Sequence, residues 1–260
     1  MIKTAFFDLD GTVTDPISHT IPASTIEAIE KLQAKGIKAY VSSGRSYAMV
    51  VTIDGINQVK WDGYICNNGA TVYDKEGNLI TAKYFTTEQV NALIDKCKKE
   101  NLTVTLCTPN YFLAPLGVDK NMITAHNFFG EALPKFIKPY ANENVFMAMA
   151  YAPIDYPYET FSKDVTGLQA VPNRSTYADI ILKNMSKAEG LKGISETLNI
   201  NKDEMIAFGD ESNDLEMLEY AGISVAMGNA NDKVKSICSY ITTNVDDDGI
   251  MNACKHFNLI

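Results

Sequence analysis

The sequence has no apolar run long enough to span a bilayer, and Met1 to Thr4 leads straight into "FFDLDG" with no basic segment followed by an apolar stretch. No membrane association is expected, and a cytoplasmic location is the default. The five cysteines, Cys66, Cys97, Cys107, Cys238 and Cys254, are odd in number, scattered and nowhere in a C-x-x-C arrangement. That pattern argues against a disulfide framework or a zinc site and reads as reduced, buried fillers. Positive charge is in deficit, with 23 Lys and Arg against 32 Asp and Glu for a net charge of −9. Nucleic acid, which normally meets a basic patch, is therefore not an expected partner. A small anionic substrate is compatible if a metal ion and one or two cationic groups offset its charge locally. Internal repeats and low-complexity segments are also missing.

What is present is enough apolar residue, 46% of 260 positions, to bury a sizeable core. Thr4 to Leu9 and Ile37 to Val41 read as fully buried strands, with a helix between them carrying Ile26, Ile29 and Leu32 on one face. Ser24 and Glu27 have capping-box spacing at its start, and Gly36 supplies its stop. Strand, helix, strand with apolar strands throughout is the pattern of a parallel sheet covered on both faces. Asn68-Gly69 and Asp74 to Asn78 are turn signals that suggest short strands and a hairpin.

Around Lys83 the character changes. Thr86 and Gln89 are placed to cap a helix to about Glu100, Leu102 to Cys107 alternates as a half-buried strand, and the stretch to about Leu182 holds seven of the nine prolines. The αβ rhythm resumes with a helix near Lys187 to Leu198, the strand "MIAFG", a helix through "LEMLEYAG", a strand at Ile223 to Met227 and a last helix. The expected architecture is an α/β, Rossmann-like parallel-sheet core with helices on both faces, made from residues 1–82 and 183–260. An inserted α+β domain occupies 83–182.

The first strand ends in "DLDGT". Residues two apart on an extended segment point the same way, so Asp8 and Asp10 share the carboxyl end of a strand, where open α/β sheets bind ligands. Asp-Gly is equally a turn dipeptide, and this stretch alone does not separate the two readings. "MIAFGDESNDLEML" repeats the design with Asp210, Asn213 and Asp214. Helix capping accounts for Ser212, Asn213 or Asp214 but not for Asp210. Carboxylates converging on one sheet edge need a cation between them, and with only oxygen ligands on offer Mg²⁺ is the natural candidate. In "VSSGRS", Ser43 and Gly44 offer a hydroxyl and a backbone N–H at a helix start, suited to phosphate oxygens or simply to a Ser-Gly turn. Lys187 supplies either a fixed positive charge or an ordinary solvated side chain.

Taken in order, "DLDGT", "SSGR", "SKAEG" and "GDESND" resemble the four motifs of the haloacid dehalogenase-like hydrolases. "NNGA" (Asn67 to Ala70), "AGISVAMGNA" and "DDDGI" are similar to the Cof-type subfamily, whose large α/β cap (type IIB) lies between the second and third motifs. The resemblance implies a Mg²⁺-dependent phosphatase acting on small phosphorylated metabolites, sugar phosphates first, through an aspartyl phosphate. It casts Asp8 as nucleophile and Asp10 as general acid and base. Ser43, Gly44, Lys187 and Asn213 would bind the phosphoryl group, and Asp8, the Asp10 carbonyl and Asp210 would hold the metal. Asp214 would support the phosphate, the lysine or metal-bound water, and Arg45 is a candidate contact. A phosphomutase is the near alternative. A phospho-accepting signalling module is the distant one, being about half this length and having no need of Asp10 or of a cap.

Overall fold

A computed structural model describes residues 1–129, 132–172 and 177–260. They form two compact units, Met1–Thr81 with Ser186–Ile260, and Ala82–Met185.

In the first unit the chain runs β1 (Thr4–Phe7), α1 (Ala23–Ala34), β2 (Lys38–Ser42), a short α2 (Tyr47–Val50), β3 (Gly63–Cys66), β4 (Thr71–Asp74) and β5 (Leu79–Ala82). In the second unit come α3 (Thr87–Lys99), β6 (Thr103–Cys107), β7 (Phe112–Leu113), α4 (Lys120–Phe129), β8 (Met147–Tyr151), α5 (Phe161–Asp164), β9 (Leu168–Pro172) and β10 (Tyr177–Leu182). The first unit resumes with α6 (Lys187–Leu198), β11 (Met205–Gly209), α7 (Leu215–Tyr220), β12 (Ile223–Ala226), α8 (Asp232–Ile237), β13 (Tyr240–Ile241) and α9 (Gly249–His256).

The first unit's sheet has the order β13-β12-β11-β1-β2-β3-β4-β5. Every pairing from β13 to β3 is parallel, and β4 returns antiparallel to β3. From β1 the chain builds outward through β2 and β3, then after the insertion returns to β11 on the other side of β1. The strand order therefore reverses between β1 and β11, the place where open α/β sheets leave a crevice at their carboxyl ends. Phe7 pairs with Phe208 in register, so the residues that follow, Asp8 and Gly209-Asp210, emerge side by side.

The two-residue side-chain period of these strands builds two cores. Ala5, Phe7, Ile206 and Phe208 face one way, toward Ala28, Ile29 and Leu32 of α1 and Ile250 and Cys254 of α9. Phe6, Met205 and Ala207 face the other, toward Leu191 and Ile194 of α6 and Met217 and Leu218 of α7. Phe7 stacks on Phe208 at 4.8 Å and Phe6 on Tyr40 at 5.5 Å. Each such buried aromatic contributes roughly 1.5–3 kcal/mol, which fixes the strand ends that carry the carboxylates.

Four local expectations are corrected. The Ser24–Glu27 capping box does not form. Pro22, with φ −57°, is the N-cap, its carbonyl accepts the Thr25 N–H at 3.0 Å, and Ser24 falls inside the helix while Glu27 pairs with Lys31. Strand β6 is buried on both faces: Val104 and Leu106 join a core, and Thr103, Thr105 and Cys107 are enclosed as well. Ser43-Gly44 is not at a helix start, because α2 begins only at Tyr47 after Ser46. Cys238 is half-buried, although the other four cysteines are buried and all five are free thiols.

The second unit is α+β, a sheet of order β7-β6-β8-β10-β9 that is antiparallel at every pairing. Its first helix carries the expected capping box, with the Gln89 N–H donating to Thr86 Oγ1 and the Thr86 N–H to Gln89 Oε1. Glu143 anchors the segment before β8. Burial opposes its ionisation, but Lys138 Nζ (2.8 Å), the Ala141 N–H (2.7 Å) and the Tyr111 hydroxyl (3.1 Å) outweigh it and hold the carboxyl down at about 2. A carboxyl depressed on folding contributes stability above its unfolded value near 4.5, and that contribution is lost as pH falls toward 2. Glu143→Gln should cost on the order of 1–2 kcal/mol at pH 7 and much less near pH 2.5. Urea unfolding of both proteins at the two pH values measures this, and an equal deficit at both would contradict it.

Candidate active site

The loop after β1 is wound around one carbonyl. Leu9 O accepts the N–H groups of Thr12 (3.2 Å), Val13 (3.0 Å) and Thr14 (2.8 Å) and the Thr14 hydroxyl (3.0 Å). The turn this requires puts Gly11 at φ +94°, and a Cβ there would lie 2.3 Å from Asp210 Oδ2. Glycine is needed for both reasons, and it lets the first and fourth motifs touch. Thr12 Oγ1 donates to Asp210 Oδ1 at 3.4 Å. Asn229 Nδ2 donates to the Gly11 carbonyl at 2.7 Å while its Oδ1 accepts the Val245 N–H, so "AMGNA" braces the loop from the other side.

Asp8 and Asp210 are each 5% exposed, and Asp214 and Lys187 are fully buried. Carboxylate oxygens of Asp8, Asp210 and Asp214 lie within 4.8 Å of one another. Lys187, the first residue of α6, donates to Asp8 Oδ1 at 2.5 Å and Asp214 Oδ1 at 2.6 Å. The other oxygen of Asp214 accepts the backbone N–H groups of Asp210 and Glu211, both at 3.0 Å. Asp214 thus engages the lysine through one oxygen and two backbone N–H groups through the other.

Three carboxylates against one ammonium leave the site short of positive charge. Burial, the Asp214 charge and, more weakly, Asp210 and Asp10 push the Asp8 carboxyl well above its ordinary value, against the pull of Lys187. Asp214 is also raised by burial, against the pull of Lys187. Burial alone would lower Lys187, but Asp214 and Asp8 outweigh it and keep the ammonium charged. An all-oxygen donor set with surplus negative charge, in which Asp214 is already engaged, fits a hard divalent cation held by Asp8 and Asp210.

Asp10 stands outside this group. Its carboxylate is half-exposed and receives both Nε and Nη2 of Arg45, at 2.8 and 3.0 Å. Ser43 is buried, and its Oγ accepts the Arg45 N–H at 3.1 Å, which leaves the hydroxyl proton to donate elsewhere. Asn213 Nδ2 donates to Asn68 Oδ1 at 3.4 Å, and a Cβ on Gly44 would lie 3.1 Å from that same oxygen. The sequence assigns no site role to Asn68, Thr12, Gly11 or Asn229: Asp10-Gly11 and Asn68-Gly69 carry turn signals there, and Thr12 and Asn229 only fall within the motif stretches.

A family model described as haloacid dehalogenase-like hydrolase matches residues 5–254. The chain belongs to that family. It is 30% identical to a 5-amino-6-(5-phospho-D-ribitylamino)uracil phosphatase of Bacillus subtilis, over 96% of this chain and 95% of that one. Among solved structures it is similar to a subclass IIB sugar phosphatase of the family, with 29% identity, a TM-score of 0.85 and coverage of 99% and 100%. A family phosphatase from Bacteroides thetaiotaomicron superposes with a TM-score of 0.89 at 26% identity, covering 100% of this chain and 96% of that one. The family assignment and the α/β fold thus agree with the resemblance carried by the four motifs. No helix among the described residues is long and apolar enough to cross a membrane.

Proposed function

We propose that this hydrolase is a Mg²⁺-dependent phosphatase that cleaves phosphate monoesters of small metabolites, sugar phosphates first, by way of a phosphoryl group carried on Asp8. The observation that carries this reading is the buried Asp8–Lys187–Asp214 bridge beside Asp210 at the sheet's switch point. An ammonium held by one carboxylate and aimed at another is placed to orient a nucleophile and then to meet the phosphoryl oxygens.

Asp8 attacks phosphorus, a P–O bond forms to its carboxylate, and the bond to the leaving alkoxide breaks. Asp10, as the acid, gives that alkoxide its proton; as the resulting carboxylate, it takes one from the water that hydrolyses the acyl phosphate. For this Asp10 must leave the fork of Arg45. Ser43, Gly44, Asn213 and Lys187 bind the phosphoryl oxygens. Asp8, the Asp10 carbonyl and Asp210 would hold Mg²⁺, which supplies charge neutralisation for the transferred group. The inserted unit is proposed as the element that selects the leaving group.

The substrate class rests on relatives whose names specify a sugar phosphatase and a phosphatase for a phosphorylated ribityl compound. A panel of phosphate esters, including hexose and pentose phosphates, assayed for released phosphate, tests it. Turnover is expected with Mg²⁺, none after chelation, and little with Ca²⁺, whose longer and more numerous oxygen contacts suit a looser site. Isomerised sugar phosphate without free phosphate would support the mutase reading instead, and equal rates with both ions would count against the metal site as described.

A further inference from the structure

The turn after β3 is strained. Asn67, Asn68 and Gly69 take φ of 52°, 52° and 93°, three successive left-handed residues of which two carry side chains. Asparagine tolerates this conformation better than most residues, but it still carries a cost. Asn67 adds to it, since its buried Oδ1 has no hydrogen-bond partner among the described residues. A costly turn of this kind persists where its surroundings over-determine it.

Those surroundings are the other motifs. The Asn67 N–H donates to the Arg45 carbonyl at 2.9 Å and the Asn68 N–H to the Ser43 carbonyl at 3.2 Å, so the turn grips the second motif from both ends. A Cβ on Gly69 would lie 2.1 Å from the Ser186 carbonyl, which places the turn against the residue that precedes Lys187. The Asn68 carboxamide then covers Gly44 and accepts from Asn213, a residue 145 positions away. One buried three-residue turn touches the second, third and fourth motifs.

We propose that Asn68 is a positioning residue for phosphate binding: its carboxamide sets the separation between the Ser43–Gly44 loop and Asn213, and through them the affinity for the phosphoryl group. The inference rests on the phosphatase reading above. Asn68 acts on the grip of the two loops, not on bond-making at Asp8, so its loss falls on binding.

Asn68→Gly keeps the left-handed backbone and deletes only the carboxamide; Asn68→Asp keeps shape and acceptor but adds a negative charge beside the anion. Two readouts are taken on the whole protein with Mg²⁺: steady-state kinetics with p-nitrophenyl phosphate, and calorimetric binding of inorganic phosphate. For Asn68→Gly, KM and the phosphate Kd should each rise about tenfold while kcat falls by less than about threefold. For Asn68→Asp, the phosphate Kd should rise further, through charge repulsion. A merely structural role would lower the thermal midpoint of Asn68→Gly and leave its phosphate Kd at the wild-type value, which would overturn the proposal. A fall in kcat with KM unchanged would overturn it equally. Wild-type protein that binds phosphate but turns nothing over would count against the hydrolase reading, and the binding arm would still decide the role of Asn68.

Discussion

Asp8→Asn should reduce phosphate release by about 10⁴-fold or more while the protein stays folded, because an amide fills the space of the carboxylate but cannot attack phosphorus. The charge balance of the site adds a second expectation. Asp8, Asp210 and Asp214 are gathered around one lysine, and burial together with its neighbours already resists the Asp8 charge. Removing that charge relieves repulsion, and the remaining carbonyl still accepts from Lys187. In the absence of metal the thermal midpoint of Asp8→Asn should therefore match or exceed that of the wild type. Added Mg²⁺ should raise the wild-type midpoint by linkage and raise that of the variant less. Substantial turnover by the folded variant would remove covalent catalysis from this position. A variant less stable than wild type without metal would show that the surplus negative charge had been misjudged.

The strands that carry the site were legible because each is an apolar run that ends abruptly in a polar motif, and parallel strands covered on both faces leave little else to read. The break in αβ alternation near Lys83 is what marks the expected insertion. Partners across the fold were not legible. Asp10 meets Arg45 over a separation of 35 residues, Thr12 meets Asp210 over 198, and Asn229 meets Gly11 over 218. Spacing along the chain says which residue types are at hand but not which of them the sheet order brings together. The Asn67–Gly69 turn shows the limit most clearly. Asn-Gly reads as a turn signal whether it merely closes a hairpin or, as here, packs against three motifs at once. The failed Ser24–Glu27 box has a local cause instead: Pro22 serves as N-cap two residues upstream, so a pattern correct in spacing falls within the helix.

Lys187 is where stability and chemistry depend on the same atom. Its ammonium has no exposure and two carboxylate partners at 2.5 and 2.6 Å. Lys187→Met keeps the length and apolar stem but leaves Asp8 and Asp214 facing each other in a buried site. Breaking a buried ion pair from one side costs about 3–5 kcal/mol, so the midpoint of thermal unfolding should fall by on the order of 10 °C. Turnover should be lost as well, because the nucleophile loses its orienting partner and the phosphoryl oxygens a fixed positive charge. The two losses are separable. Pairing the change with Asp214→Asn removes one of the stranded carboxylates, and the amide oxygen still accepts the N–H groups of Asp210 and Glu211 that Asp214 now serves. The double variant should recover most of the lost midpoint and none of the turnover. Recovery of both would mean that the lysine only balances charge; recovery of neither would mean that the stranded Asp214 carboxylate is not what destabilises Lys187→Met.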